Sequence, residues 1–357
     1  MFPQMIESLQ SLRGIFAILI FLHHYTVDGS SLCAFGGDCG VAFFLILSGM
    51  VLSRSYDGQS LGLYAERKRF WFARFSRIYP LHLVCLLGFV LLHIRSLDMT
   101  QFPVLTANLF LLQSWVPVSE VYFSGNAVSW FLSDLCFCYL LFPVIHRYLS
   151  RSFREIRVVI VSFLCLYFIL VALLPVELIH PIVYIFPAMR IVDFIIGIIL
   201  WKVLAEKIFV VNRSVRNCTL LEACAIGLML VFILGYSHVP VRLGLASYWW
   251  FPVIVMLFVF TNEGKNAYGL ISKALCWRPL VILGNISFSF YMIHLMVIHA
   301  VGTLSVEFGL EAVAWPLMLI GTFGCTVMVA SVVHRCFEIP VCKICQKLYY
   351  ETDNKRL

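Results

Sequence analysis

Arg13 and His24 stand eleven positions apart in an apolar stretch. At about 100° per residue that interval returns to within about 20° of the same helix face, with a rise of about 16 Å. The two side chains cannot touch each other. A long ligand can touch both, with anionic groups at Arg13 and a reactive end at His24. A neutral imidazole accepts a proton near neutral pH, so His24 suits a general base acting on a hydroxyl. It equally suits a transient carrier of a transferred group. His23 lies about 100° round the helix and is the poorer base of the two. The structural alternative is an arginine snorkelling to headgroups and a histidine satisfied by a neighbouring helix.

Three further groups carry polar chemistry. YAERKRFWFARFSRIYP, residues 64–80, holds Arg67, Lys68, Arg69, Arg74 and Arg77. Arg74 and Arg77 are i, i+3 and share a helix face. A guanidinium fork matches phosphate oxygens, so Arg69, Arg74 and Arg77 suit a phosphorylated ligand; a topogenic loop against anionic headgroups explains them too. Asn126, Ser129, Trp130, Ser133 and Asp134 mark the entry to another apolar run. A tryptophan there is an ordinary interfacial anchor, whereas an acid about one turn inside is costly and points to function. Downstream, Asn285, Ser287, Ser289, Tyr291, His294 and His299 lie in GNISFSFYMIHLMVIH, and Glu338 closes the last apolar run; bonding between helices is their simpler use.

The elements that must position these groups follow from composition. The 357-residue chain is 61% hydrophobic and 13% charged, with mean hydropathy +0.93. Its apolar residues form runs long enough to cross a bilayer, at 11–27, 38–54, 78–95, 128–146, 158–175, 182–201, 219–236, 246–261, 281–303 and 312–335. The expected fold is all-α: a polytopic bundle of about ten transmembrane helices, with a short apolar segment at 102–116, broken by Pro103 and Pro117, that is re-entrant or an extra span. Residues 1–340 make the membrane domain and 341–357 a cytoplasmic tail. Met1 to Gln10 lacks a basic leader region, so the first run is expected to be retained.

Lysine and arginine favour the cytoplasmic side. With both termini inside and segment 102–116 not crossing, 22 of the 26 basic residues fall inside, leaving Arg13, Arg95, Arg190 and Arg242. The net charge of +7 therefore reflects topology, in a bacterial inner membrane, and its scatter over five segments facing anionic lipid excludes a nucleic-acid surface. Among 13 cysteines, most sit in apolar runs as small hydrophobes. Cys342 and Cys345 lack the second pair a zinc site needs, so no metal is expected; Cys33 and Cys39 share a short loop in which a disulfide is conceivable. The residues alone leave an enzyme and a non-enzymatic transporter or flippase of a lipid-linked saccharide both open.

In combination these strings resemble the acyltransferase-3 family of integral membrane acyltransferases. SLRGIFAILIFLHHY is similar to its opening helix, with an Arg-x10-His motif on Arg13 and His24; GVAFFLILSGMVLSRSY to its second, whose F-F-x-L-S-G pattern it approaches as F-F-x-x-L-S-G at Phe43 to Gly49. FARFSRIYPLH matches R-x-x-R-I-x-P through Arg74, Arg77 and Pro80; NAVSWFLSDLCFCYLLFP, GNISFSFYMIH and FEIP match later elements. Many members carry W-S-L-S-V-E; here Phe131 replaces the serine, Leu135 stands at the glutamate position, and Asp134 is one place early. The resemblance implies transfer of an acetyl or other short acyl group from cytoplasmic acyl-CoA to a hydroxyl of an envelope glycan or lipid-linked saccharide, O-antigen lipopolysaccharide fitting best. It implies His24 and Arg13 as catalytic, Arg69, Arg74 and Arg77 on the coenzyme A phosphates, and an outward acceptor site of Asn126, Trp130, Ser133, Asp134, Tyr291, His294 and Glu338, with Gln113, Trp115 and Tyr122 nearby. Many O-acetylating members carry a fused SGNH domain; this chain is expected to act without one or through a separate extracytoplasmic partner protein.

Overall fold

The computed structural model describes residues 6–59, 61–94, 98–149, 153–206, 214–261, 268–309 and 313–354. In chain order the helices are α1 (Glu7–His24), α2 (Gly36–Ser55), α3 (Tyr64–His93), α4 (Phe102–Leu109), α5 (Ser119–Tyr122), α6 (Trp130–Leu149), α7 (Phe153–Leu173), α8 (Val176–Ile179), α9 (Pro187–Ala205), α10 (Val215–Leu234), α11 (Val241–Ala246), α12 (Trp250–Phe260), α13 (Leu270–Leu275), α14 (Arg278–Asn285), α15 (Ser287–Glu307), α16 (Trp315–Val333) and α17 (Ile339–Asn354). The protein is an all-α polytopic bundle. Each of the ten expected spans corresponds to a helix: α1, α2, α3, α6, α7, α9, α10, α12, α15 and α16. Among the described residues six helices are long and apolar enough to cross a membrane, and seven if the pair Val176–Ile185 and Pro187–Ala205, bent by 48°, is one span. Val158–Leu173 and Trp250–Phe260 are apolar but shorter. The basic residues expected at 151–157, 207, 213 and 265 lie outside the described side chains.

Close helix approach organises the centre. A Cβ on Gly49 of α2 would meet the Phe194 carbonyl of α9, and one on Gly197 of α9 would meet the Ile46 carbonyl of α2. Backbone therefore lies against backbone, which small residues permit where apolar burial drives no association between helices. Gly284 of α14 meets the Gln10 carbonyl of α1 in the same way. Beside these contacts, Phe16 of α1 stacks on Phe43 of α2 with ring centroids 3.8 Å apart. Two glycines in the recognisable strings, Gly49 and Gly284, are thus packing residues. A two-residue β-hairpin, β1 (Thr26–Val27) with β2 (Ser30–Ser31), follows α1. Its turn places Asp28 and Gly29 at φ 52° and 75°, the left-handed pair that matches strand twist.

Segment 102–116 holds only the eight-residue α4 and a 3₁₀ turn; at about 1.5 Å per residue α4 is too short for a bilayer core of about 30 Å. The C-terminal segment from 341 begins within a helix. Five π-helical residues, His334–Glu338, lead from α16 directly into α17, and Tyr349 stacks on Phe72 of α3 at 4.4 Å. Cys33 and Cys39 are free thiols.

Candidate active site

Helix α1 carries Arg13 at its lower turns and His24 as its last residue. Beside α1 lies a cavity of about 400 Å³ whose walls include Gln10, Arg13, Ile20, Val41, Phe44, Ser48, Arg54, Arg74, Arg77, Phe131, Tyr139 and Tyr291. Its mouth holds four arginines. Arg13 donates to Gln10 Oε1 at 3.0 Å, and Arg54 sits over the Trp201 ring at 5.7 Å. Arg74 and Arg77 have no hydrogen bond or ion pair among the described residues, and Arg74 Nε is buried without a partner. Guanidiniums without a protein partner on a cavity wall have the chemistry to take an anion. Glu338 lies within electrostatic reach of Arg13 and Arg77. It accepts from Ser289 Oγ at 2.6 Å and pairs with His334 Nδ1 at 2.8 Å. The π-helical turn sets that geometry, a feature that recurs at functional sites.

The cavity climbs α1 as far as Ile20, one turn below His24. His24 Nδ1 lies 3.0 Å from the Ile20 carbonyl and 3.1 Å from Nε2 of His294 on α15. His24 is half-buried, while His294 is fully buried. The neighbouring His23 turns away: its Nδ1 lies 2.9 Å from the Ala34 carbonyl, fixing the loop after the hairpin. A Cβ on Gly37 would meet the His23 ring, so that position stays glycine. Of the two histidines, His23 bonds the loop and His24 pairs with His294.

The structure thus brings Arg13, Arg74, Arg77 and Tyr291 to one cavity, with Glu338 within electrostatic reach of two of the arginines, and pairs His24 with His294 beyond the cavity's lining. It separates others. Arg69 is exposed and does not line the cavity. At about 100° per residue it sits about 140° round α3 from Arg74. Asn126, Ser133 and Trp130, expected at the acceptor site, are scaffold. Asn126 Nδ2 donates to the Met292 carbonyl at 2.7 Å, Ser133 Oγ to the Leu111 carbonyl at 2.6 Å, and the buried Trp130 ring packs on Tyr184 at 5.4 Å. Tyr291 OH donates to the Val128 carbonyl at 2.7 Å. These bonds tie residues 108–130 to the bundle, as do Gln113 with Ser129 and Ser114 with the Trp130 carbonyl. Trp115 stands edge-on to Phe137 and Phe186, and Tyr122 packs on Phe123, so their rings meet protein side chains and not an open glycan platform.

Asp134 belongs to a different cluster. It is fully buried, within electrostatic reach of Arg190 and beside the Ser114 hydroxyl. Arg190 pairs with Asp193 at 2.7 Å and lies over the Tyr184 ring at 4.9 Å. Asp193 also accepts from Trp250 Nε1. Residues that spacing did not reveal are Ser48, Arg54 and Tyr139 on the cavity wall. Only the position of Ser48 inside the F-F-x-x-L-S-G string gave a signal.

Comparison with known proteins identifies the family. The acyltransferase-3 model, described as an acyltransferase domain, matches residues 6–335. The chain is similar to Acyltransferase MdmB of Streptomyces mycarofaciens, 28% identical over 324 residues, covering 82% of this chain and 79% of that protein. It is also similar to O-acetyltransferase OatA of Staphylococcus aureus, 24% identical over 364 residues, covering 96% of this chain and 58% of that protein. No solved structure matches.

Proposed function

Since the chain belongs to the acyltransferase-3 family and is a membrane acyltransferase, we propose that it moves an acetyl or other short acyl group from cytoplasmic acyl-CoA to a hydroxyl of an envelope glycan. The observation that carries this reading is the arginine-mouthed cavity that climbs α1 to the turn beneath His24. Arg13, Arg74 and Arg77, with Arg54, take the phosphates of the nucleotide. The pantetheine arm follows α1 over the rise of about 16 Å and delivers the thioester to His24. There the imidazole takes the proton of the acceptor hydroxyl as that oxygen attacks the thioester carbonyl. The carbon–sulfur bond breaks, and the same proton passes to the departing thiolate, giving ester and free thiol.

The acceptor comes from the far end of the bundle, on the side of the 25–35 loop, and lipopolysaccharide O-antigen is the acceptor we favour. In this reading both termini and the arginine mouth face the cytoplasm of a bacterial inner membrane. The competing reading, a non-enzymatic transporter or flippase, is set aside by family membership. Inside-out membrane vesicles supplied with radiolabelled acetyl-CoA test the proposal. Label is expected in the polysaccharide fraction, and mass spectrometry of O-antigen with and without the gene should differ by acetyl groups. Label in no envelope glycan, at normal protein levels, overturns the assignment of acceptor.

A further inference from the structure

The hydrogen bonds around the two facing histidines determine where each proton sits. His294 Nδ1 lies 2.6 Å from the Tyr291 carbonyl oxygen. A carbonyl only accepts, so that nitrogen carries a hydrogen. In the neutral ring Nε2 is then a bare acceptor, and it is this atom that lies 3.1 Å from His24 Nδ1. The Ile20 carbonyl, 3.0 Å from the same His24 nitrogen, is a second acceptor. Two acceptors therefore converge on His24 Nδ1, which must be the protonated nitrogen. His24 Nε2 is left with its lone pair and with no partner among the described residues. Any other arrangement sets lone pair against lone pair at one of these contacts, or faces two N–H groups at 3.1 Å.

We propose that His294 is a positioning residue, which holds His24 in the Nδ1–H tautomer and so makes His24 Nε2 the base. This rests on the reading of His24 as the base in acyl transfer. When Nε2 takes the hydroxyl proton, His24 becomes an imidazolium whose Nδ1–H still points at the His294 lone pair and the Ile20 carbonyl. Both acceptors stabilise the new charge, which is the part that a carboxylate plays beside the histidine of a serine hydrolase. Here that part falls to a neutral ring. A carboxylate buried at this depth would itself need a counter-ion; an imidazole does not. His294 is held rigidly for the task. It is fully buried, its ring lies parallel to that of Phe290 within 8°, and Tyr291, whose carbonyl sets its tautomer, is itself anchored to Val128. Tyr291 also lines the donor cavity, so the support of the base and the wall of the donor site are one turn of helix.

The test uses the full chain in detergent or nanodiscs, with His294→Phe, which removes the acceptor, and His294→Gln, whose amide oxygen can still accept from His24. Acyl-transfer kcat and KM for acetyl-CoA are measured beside nitrogen-15 spectra of labelled histidine, His24 being assigned by its loss in His24→Ala. The expected result is a kcat fall of about 10- to 100-fold in His294→Phe, KM unchanged, and recovery of most of kcat in His294→Gln. In the spectra His24 is Nδ1-protonated in the native chain and a tautomer mixture in His294→Phe. A native kcat in His294→Phe, or His24 protonated at Nε2 in the native chain, overturns the proposal. The spectra read the histidine pair without turnover. A native chain that shows the Nδ1–H tautomer, lost in His294→Phe, yet transfers no acyl group would leave the pair standing and remove the acyl-transfer reading.

Discussion

Two sets of arginines inside this bundle differ in what surrounds them. Arg190 is buried with Asp193 at 2.7 Å and the Tyr184 ring beneath it. Arg74 and Arg77 line a cavity and make no hydrogen bond or ion pair among the described residues, with Glu338 the acid within electrostatic reach of Arg77. Both placements are costly in a membrane. In the first the protein supplies the compensation itself, and the cation becomes part of the structure. In the second the compensation is missing and must come from a ligand. Rarity alone therefore does not identify function for an intramembrane charge; the state of its partners does. Asp134, which attracted attention as an acid inside an apolar run, lies within electrostatic reach of Arg190 but outside the Arg190–Asp193 ion pair.

The comparison can be broken most directly by reversing charge at the cavity mouth. Arg74→Glu with Arg77→Glu should weaken coenzyme A binding by roughly 100-fold or more, since each charge-assisted contact contributes about 1.5–3 kcal/mol. Thermal stability should stay near the native value, because no internal partner is lost. Isothermal titration beside a melting curve checks both. Arg190→Leu should do the opposite. Removing one partner of a buried pair costs about 3–5 kcal/mol, so yield and melting temperature fall, while the folded fraction binds coenzyme A as before. Equal loss of affinity in the two variants would abolish the distinction.

Salt gives a gentler contrast. Raising ionic strength from about 0.01 to 1 M shortens the Debye length from about 30 to 3 Å. Coenzyme A affinity should fall several-fold over that range, whereas the buried Arg190–Asp193 pair, and hence the melting temperature, should hardly respond. The smallest effect is expected at Asp134. Asp193 already balances Arg190, so Asp134→Asn should shift stability by less than about 1 kcal/mol, with Asp193→Asn far more damaging. Equal damage from the two would make Asp134 a true counter-ion.

Much of this was legible in the residues, for identifiable reasons. Ten apolar runs became ten helices because a run with no polar backbone partner nearby satisfies itself only as helix. Arg13, His24, Arg74 and Arg77 could be placed on shared faces because helix spacing is periodic. Arg69 failed by the same arithmetic: about 140° of rotation takes it off the cavity face of α3. The partnership of His294 with His24 spans 270 positions, and no local spacing encodes such a pairing. Asn126 and Ser133 looked like acceptor ligands, but Asn126 Nδ2 and Ser133 Oγ are taken up by backbone carbonyls far away in sequence, leaving Asn126 Oδ1 buried without a partner. Trp115 and Tyr122 of the 102–127 segment were expected beside a glycan; the first packs on Phe137 and Phe186 and the second on Phe123, whereas Phe102 and Phe110 are exposed there.

The central claim is that the arginine mouth binds the donor and His24 acts on it at the other end of α1. Acyl transfer and acetyl-CoA affinity measured on the same preparation of His24→Ala test it most directly. The account predicts transfer reduced by at least about 100-fold, with affinity within about two-fold of native because the phosphates are held at the opposite end of the helix. Normal product from that variant at matched expression would contradict it.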